Sequence, residues 1–231
     1  HHDHRSRKLI DTLEDLELFA SGAARCHLDP DLQRWSVPRS PGWRPSFGKV
    51  NAAARHLDNQ GVSPGDVFLF FGWFRRTERR AGRLRFVTGP GADLHVIFGW
   101  LQIGEIVRPR RGRAMPEWLR AHPHAAKHHV ANPTNPIYVA RDELSVRAAC
   151  PGAGTFRYGT DLVLTKPGMT RTRWALDRDV FGATSISYHS PASWKRGYFQ
   201  SASKGQEFVV ECDRRIATWL AQLFETSLRA Q

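Results

Sequence analysis

The sequence has few of the features that mark secreted or membrane proteins. Its three cysteines, Cys26, Cys150 and Cys212, lie far apart and form no C-x-x-C pair. They therefore indicate neither a disulfide framework nor a zinc site with sulfur ligands. The chain contains no apolar run of about 18 residues, and its first residues lack the apolar stretch of a signal peptide. We expect a soluble cytoplasmic protein without a membrane partner.

Several motifs of common enzyme classes are also missing. The sequence contains no G-x-x-x-x-G-K-S/T, no G-x-S-x-G and no G-x-G-x-x-G that opens a helix. A P-loop nucleotidase, an elbow-type hydrolase and a dinucleotide-dependent oxidoreductase are therefore unsupported, and we predict no cofactor. The histidines at 122–129 have no carboxylate or thiolate at a metal-ligand spacing, so we interpret them as a solvated basic loop and predict no metal.

Acidic residues are too few to balance the basic ones. The chain has 34 Lys and Arg against 22 Asp and Glu, a formal net charge of +12, and all but six of the basic residues are Arg. A surface with this excess attracts polyanions by releasing their counterions, and the guanidinium group pairs with phosphates and stacks on bases. The composition favours DNA, RNA or a nucleotide as partner.

The pattern of apolar residues predicts one α+β domain over 1–231. We predict an N-terminal part of helix and loop at 5–60, a β-rich core at 62–212 and a C-terminal helix at 214–229. Within these parts, helices are predicted at 5–20, 46–60 and 214–228, and strands at 67–74, 83–87, 94–107, 137–140, 156–158, 162–165, 185–188 and 207–212. Gly99 and Gly104 interrupt the longest strand and predict bulges in a curling sheet. The fold class that we expect is a partly closed, mostly antiparallel β-barrel with flanking helices.

A repeated Phe-Gly-Trp sequence suggests a surface for a flat ligand. It ends at Trp73 and again at Trp100, each inside a predicted strand. Trp100 shares a strand face with Gln102, so a base could stack on the indole while the amide reads its edge. The alternative is that these aromatic residues form the core, which we prefer for most residues of the strand at 67–74. We predict base binding by Trp73, Trp100 and Gln102.

Acid–base and phosphate-binding residues are less clearly marked. Glu207 and Glu211 would share a strand face about 13 Å apart, too far for a carboxylate pair on one bond. Glu207 alone, His95 and Asp29 are the candidate acid–base groups. Asp29 follows a Cys-His pair, but such neighbours seldom form a catalytic set, and a turn is the simpler interpretation. A separate set, the predicted phosphate-binding residues, comprises Arg44, Lys49 and Arg75.

Several longer motifs carry a family resemblance. They are Cys-His-Leu-Asp-Pro-Asp-Leu at 26–32, Trp-Arg-Pro-Ser-Phe-Gly at 43–48, the segments 65–74 and 94–106, and Gly-Gln-Glu-Phe at 205–208. With these motifs the chain resembles the nucleotide modification associated domain family of the third type. The resemblance implies a bacterial or phage protein linked to DNA base modification. It also implies a further N-terminal segment, and we expect an incomplete site if that segment lines it.

A looser similarity concerns the fold alone. The Gly-Asp turn at 65–66, the apolar strand after it and the strand ending at 103–107 resemble EVE and ASCH domains, which have a PUA-like barrel. We therefore expect a nucleic-acid-associated domain that recognises a modified or flipped base. An enzyme of base or nucleotide modification and a protein-interaction module are the alternatives.

Overall fold

The computed structural model describes residues 16, 28–112, 114–203 and 207–229, except for the side chains of 127, 128, 228 and 229. The predicted helix at 5–20 lies outside these residues, apart from residue 16. The described strands are β1 (Ser46–Gly48), β2 (Val67–Arg75), β3 (Thr77–Arg80), β4 (Arg83–Phe86), β5 (Asp93–Val107), β6 (Ile137–Ala140), β7 (Ala153–Thr155), β8 (Arg173–Trp174), β9 (Trp194–Lys195) and β10 (Tyr198–Gln200). The α-helices are α1 (Asn51–Asn59), α2 (Lys127–Val130), α3 (Arg178–Phe181) and α4 (Arg214–Arg229). Short 3-10 helices cover Glu117–Ala121, Pro123–Ala125, Thr160–Leu162 and Pro191–Ser193.

The main sheet is built around β5. Its strands run in the order β1-β6-β5-β2, β7 also pairs with β5, and every pairing is antiparallel. A second sheet contains β8, β10 and β9, and β3 pairs with β4. The predicted α+β class with mostly antiparallel sheets is confirmed. Among the described residues β1 and β2 remain the two ends of the sheet and no barrel closes, so the PUA-like barrel is unconfirmed.

The two glycines of β5 mark irregularities, as predicted. The register with β2 passes from Phe70 opposite Gly99 to Phe71 opposite Ile97, which leaves one residue of β5 unpaired. The register with β6 skips Gly104, where a Cβ atom would lie 2.8 Å from the Cα of Arg141. These bulges let one 15-residue strand bend while it pairs with three neighbours.

Both faces of the sheet are buried, which explains the nearly continuous apolar sequence of β5. On one face Trp100 and Phe156 pack against Phe224 of α4. On the other face Leu101 packs in a cluster that includes Leu57 of α1. The sheet is therefore held between the C-terminal helix and α1.

Two predicted helices are confirmed with changed bounds. The helix predicted at 46–60 begins at Asn51, because residues 46–48 instead form β1 and pair with β6. It ends before Gly61, whose φ of 73° is the left-handed conformation expected after a helix end. The C-terminal helix covers Arg214–Arg229, close to its predicted range.

The strands predicted at 156–158, 162–165, 185–188 and 207–212 are wrong. These segments form no named strand. Isolated bridges join Val163 to Val96, Thr165 to Trp174 and Ile186 to Val210, and the residues just before Val163 form a 3-10 helix. Alternating apolar residues show that a segment is half-buried, but a strand also needs one partner along several consecutive residues.

Candidate nucleic-acid interface

An arginine-rich hairpin extends beyond the main sheet. It continues β2 and β5, since the amide of Arg76 donates to the carbonyl of Ala92 and the amide of Val87 donates to that of Arg76, each at 2.9 Å. The turn residues Ala81 and Gly82 have φ of 49° and 81°, the positive pair of a type I′ turn. No residue from 71 to 90 is buried. We call residues 76–87 the arm.

The arm carries arginines on both of its faces. Glu78 is opposite Arg85 and Arg80 is opposite Arg83, so these four side chains share one face with a shallow groove of about 640 Å³. The other face carries Arg79, whose guanidinium donates to the carbonyl of Gly82. Only Glu78, paired with Arg80 at 2.6 Å, provides negative charge within the arm. The arm is therefore a solvated, strongly basic ribbon.

Trp73 stands exposed at the base of the arm. Its side chain is 60% exposed, yet the indole Nε1–H donates to Asp93 Oδ1 at 2.9 Å. The guanidinium of Arg171 lies 4.2 Å from the centre of the ring, and Arg75 reaches the same Asp93 oxygen at 3.3 Å. These contacts fix the exposed ring through Asp93 and place Arg171 over it, while the guanidinium of Arg75, on the same carboxylate, lies 4.9 Å from the centre of the Phe86 ring. The arrangement suits stacking of a base beside phosphates.

The structure places Trp100 and Gln102 away from this surface. Trp100 is 4% exposed, with its Nε1–H donating to the carbonyl of Pro151 at 3.0 Å. Gln102 is 2% exposed, and its amide is bonded to the Gly65 carbonyl and to Ser145. Both side chains have their polar groups satisfied inside the fold, so the geometry favours the core interpretation for them.

The predicted phosphate-binding residues fall in two places. Arg75 lies beside Trp73, whereas the guanidinium of Arg44 donates to the carbonyl of Ala140 on the far strand β6. Lys49 is ion-paired with Glu207 and lies over the ring of Phe47. Only Arg75 of the three belongs to the surface formed by the arm and Trp73.

Two of the three predicted acid–base groups come together with Lys49. The amide of Gly48 donates to Asp29 Oδ1 at 2.9 Å, and the next residue, Lys49, pairs with Glu207. The other oxygen of Asp29 lies 3.2 Å from His124 Nε2. We call this set, Asp29, Lys49, His124, Asn135 and Glu207, the polar cluster.

His124 has a hydrogen-bond acceptor at each ring nitrogen. Its Nδ1 lies 2.8 Å from Asn135 Oδ1, while the Nδ2 of that amide donates to two backbone carbonyls and so directs the oxygen towards the ring. Burial by itself lowers the pKa of His124, but the hydrogen bonds to Asp29 and Asn135 and the charge of Asp29 outweigh it, and the pKa is raised. The protonated ring, which these partners favour, has an acceptor for each of its two N–H groups.

His95 lies in a different environment. It is buried, its Nδ1 accepts from the indole of Trp174 at 3.0 Å, and its ring contacts Phe71 and Trp174. Burial, and secondarily the charge of Arg171, lower its pKa to about 4. His95 is a neutral ring in an aromatic environment, separate from the polar cluster.

Sequence reasoning missed three residues of these sites. Arg171 and Asn135 stand in segments without a motif, and no local signal could have selected them. The interpretation of the histidines at 122–129 as a solvated basic loop is wrong for His122 and His124, because both are buried and the partner of His124, Asp29, lies far away in sequence. Within the part of the chain that the structure describes, no group of three His, Cys, Asp or Glu residues is placed to hold a metal ion, and no helix is long and apolar enough to cross a membrane.

The fold and its surface define an α+β domain with a basic ribbon and an exposed tryptophan at one edge of the main sheet. The chain belongs to the nucleotide modification associated domain 3 family, whose model matches residues 1–211. The family name associates the protein with nucleotide modification. No curated protein and no solved structure matches the chain, so the similarity to EVE and ASCH domains remains a prediction.

Proposed function

We propose that this domain associates with nucleic acid, recognises a modified or flipped base on Trp73, and serves DNA base modification. The observation that carries the proposal is the exposed indole of Trp73, fixed by Asp93 with Arg171 over its ring and with Arg75 on the same carboxylate. A base needs a flat apolar surface, and the flanking phosphates need cations that are already in place. The family name and the net charge of +12 support the same function.

Replacing Trp73 with alanine tests the platform. We expect Trp73→Ala to weaken binding of a single-stranded or base-modified oligonucleotide by about 1–3 kcal/mol, the contribution of one stacked base. Fluorescence anisotropy measures the change in Kd. Trp35→Ala is the matched control, because Trp35 is exposed to a similar extent, 65%, but has no place at the arm. Equal losses in both variants would contradict a role specific to Trp73.

The dependence of binding on salt tests the arginines. Each phosphate that an arginine neutralises adds about 0.9 to the slope of log K against log salt. Arg75→Ala is expected to weaken binding to all sequences and to lower that slope by about one. Arg55→Ala, on the exposed side of α1, should leave the slope unchanged. Binding that does not respond to salt would refute the electrostatic part of the proposal.

An enzyme of base or nucleotide modification is the second candidate, and the polar cluster favours it. Acidic and basic groups from distant segments converge there, a common feature of sites for proton transfer. His95 is buried elsewhere and both oxygens of Asp29 are engaged, so Glu207 is the more accessible of the two carboxylates.

Product analysis separates the two candidates. The protein is incubated with modified DNA and with mononucleotides, and the products are followed by mass spectrometry. An enzyme changes the mass of a base or nucleotide, and Glu207→Gln abolishes that change. A binding protein leaves every mass unchanged, and its affinity depends on Trp73.

A further inference from the structure

We propose that the arm enters the major groove of duplex DNA. This inference rests on the proposed function, because it specifies the form of nucleic acid that the arm and Trp73 would meet. The arm lies outside the sequence motifs at 65–74 and 94–106.

The dimensions of the arm match those of the groove. Two strands of four residues rise about 3.4 Å per residue, so the arm reaches about 14 Å beyond the sheet. The major groove of B-DNA is about 12 Å wide and 8.5 Å deep, and it admits a two-stranded ribbon. The major groove of duplex RNA is too narrow for side chains to read. The shape therefore favours duplex DNA over duplex RNA.

The arm is poorly stabilised by the fold itself. None of its residues is buried, and a two-stranded hairpin of this length is marginally stable without a packed face. Arg80 and Arg83 are directly opposite each other, a cross-strand pair of like charges whose repulsion the ion pair of Arg80 with Glu78 offsets in part. An anion between or beside these guanidinium groups removes the remaining repulsion. Phosphates and the acceptor edges of guanine supply such partners.

Charge on both faces matches a groove with phosphates on both walls. Alternation along the strands places Arg76, Arg80, Arg83 and Arg85 on one face with Glu78, and Arg79 on the other, where Arg75 at the base of the arm lies over the ring of Phe86. A ribbon inserted between the two backbones presents cations to each. Trp73 lies at the base of the ribbon, where a base leaving the stack through the same groove would meet it. The arm thus connects duplex binding to base recognition.

The test compares a variant of the arm with one of equal charge. Arg76, Arg80 and Arg83 are replaced together by glutamine, and the matched control replaces the exposed Arg55, Arg196 and Arg214 by glutamine. The probe is a DNA duplex of about two helical turns, beside a duplex RNA and a single-stranded DNA of the same sequence. We expect the parent to bind duplex DNA about tenfold or more tighter than duplex RNA. We expect the arm variant to lose about tenfold or more of that affinity and the control to lose much less.

Chemical footprinting locates the arm. Dimethyl sulfate methylates guanine N7 in the major groove and adenine N3 in the minor groove, and we expect the parent to protect only guanine N7. Protection of adenine N3 alone, equal affinity for both duplexes, or equal losses in the two triple variants would overturn the inference. NMR signals of the backbone amides of Leu84 and Phe86 show whether the arm variant keeps its hairpin. If the hairpin unfolds in the variant, the footprint of the parent protein alone tests whether the arm enters the major groove.

The outcomes distinguish this inference from the function on which it rests. If the parent binds single-stranded DNA through Trp73 and the arm variant binds as well as the control, the proposed function stands and groove insertion is refuted. If the parent binds none of the three probes, both fall.

Discussion

Replacing Trp100 with alanine is expected to lower the free energy of unfolding by about 3–5 kcal/mol, the usual cost of truncating a buried tryptophan. The indole packs against Phe156 and Phe224, and it lies so close to Gly154 that a Cβ atom there would be 2.6 Å from the ring. The substitution leaves a cavity between the sheet and α4, and the Pro151 carbonyl loses its donor. Urea unfolding followed by circular dichroism measures the change.

The exposed Trp35 provides the control for this prediction. Trp35→Ala should change the free energy of unfolding by no more than about 0.5 kcal/mol, as surface substitutions usually do. A Trp100→Ala protein that unfolds at the parent's urea concentration but binds nucleic acid more weakly would contradict the core assignment and return Trp100 to the binding surface.

Replacing Asp29 with asparagine is expected to cost about 3–5 kcal/mol of unfolding free energy below pH 6.5, because it leaves the imidazolium of His124 buried without a carboxylate. In the parent, the raised pKa of His124 contributes stability that is fully present below the unfolded pKa of about 6.5. That contribution is lost as the pH rises through the folded pKa. The difference between parent and Asp29→Asn should therefore shrink with increasing pH.

Urea unfolding of both proteins between pH 5 and pH 8.5 checks the sign of this dependence. His124→Gln is the companion variant, since it removes the titrating group and should flatten the contribution of the pair. A penalty for Asp29→Asn that grows with pH would contradict the imidazolium assignment. His95 has a lowered pKa and opposes the trend, but it is unchanged in both proteins and cancels from the difference.

Local patterns in the sequence were sufficient for α4, β2, β4, β5 and β6, but β1, β3 and the short strands β7 to β10 were not predicted. The amphipathic repeat at 214–228 predicted α4, and the apolar run at 67–74 predicted β2, because burial of one side of an element leaves its period in the sequence. Gly99 and Gly104 marked the bulges of β5 because a residue without a Cβ atom allows the backbone to bend or to approach a neighbour closely. The pairing of distant segments could not be predicted in this way. The half-buried segments at 185–188 and 207–212 have the sequence pattern of strands but pair with each other at a single bridge.

For the candidate sites too, some features could be predicted from local sequence and others depended on contacts between distant segments. The sequence by itself determined the basic charge and the aromatic residues of β2, because these are matters of composition and local spacing, whereas the pairing of β3 with β4 that forms the arm was not predicted. Only the tertiary structure decided that Trp73 is exposed while Trp100 is buried, since both stand in the same Phe-Gly-Trp context. It also decided that Asp29 meets His124, and Lys49 meets Glu207, across the fold. Such contacts depend on which faces the packed elements cover, and no period or motif within one segment records that choice.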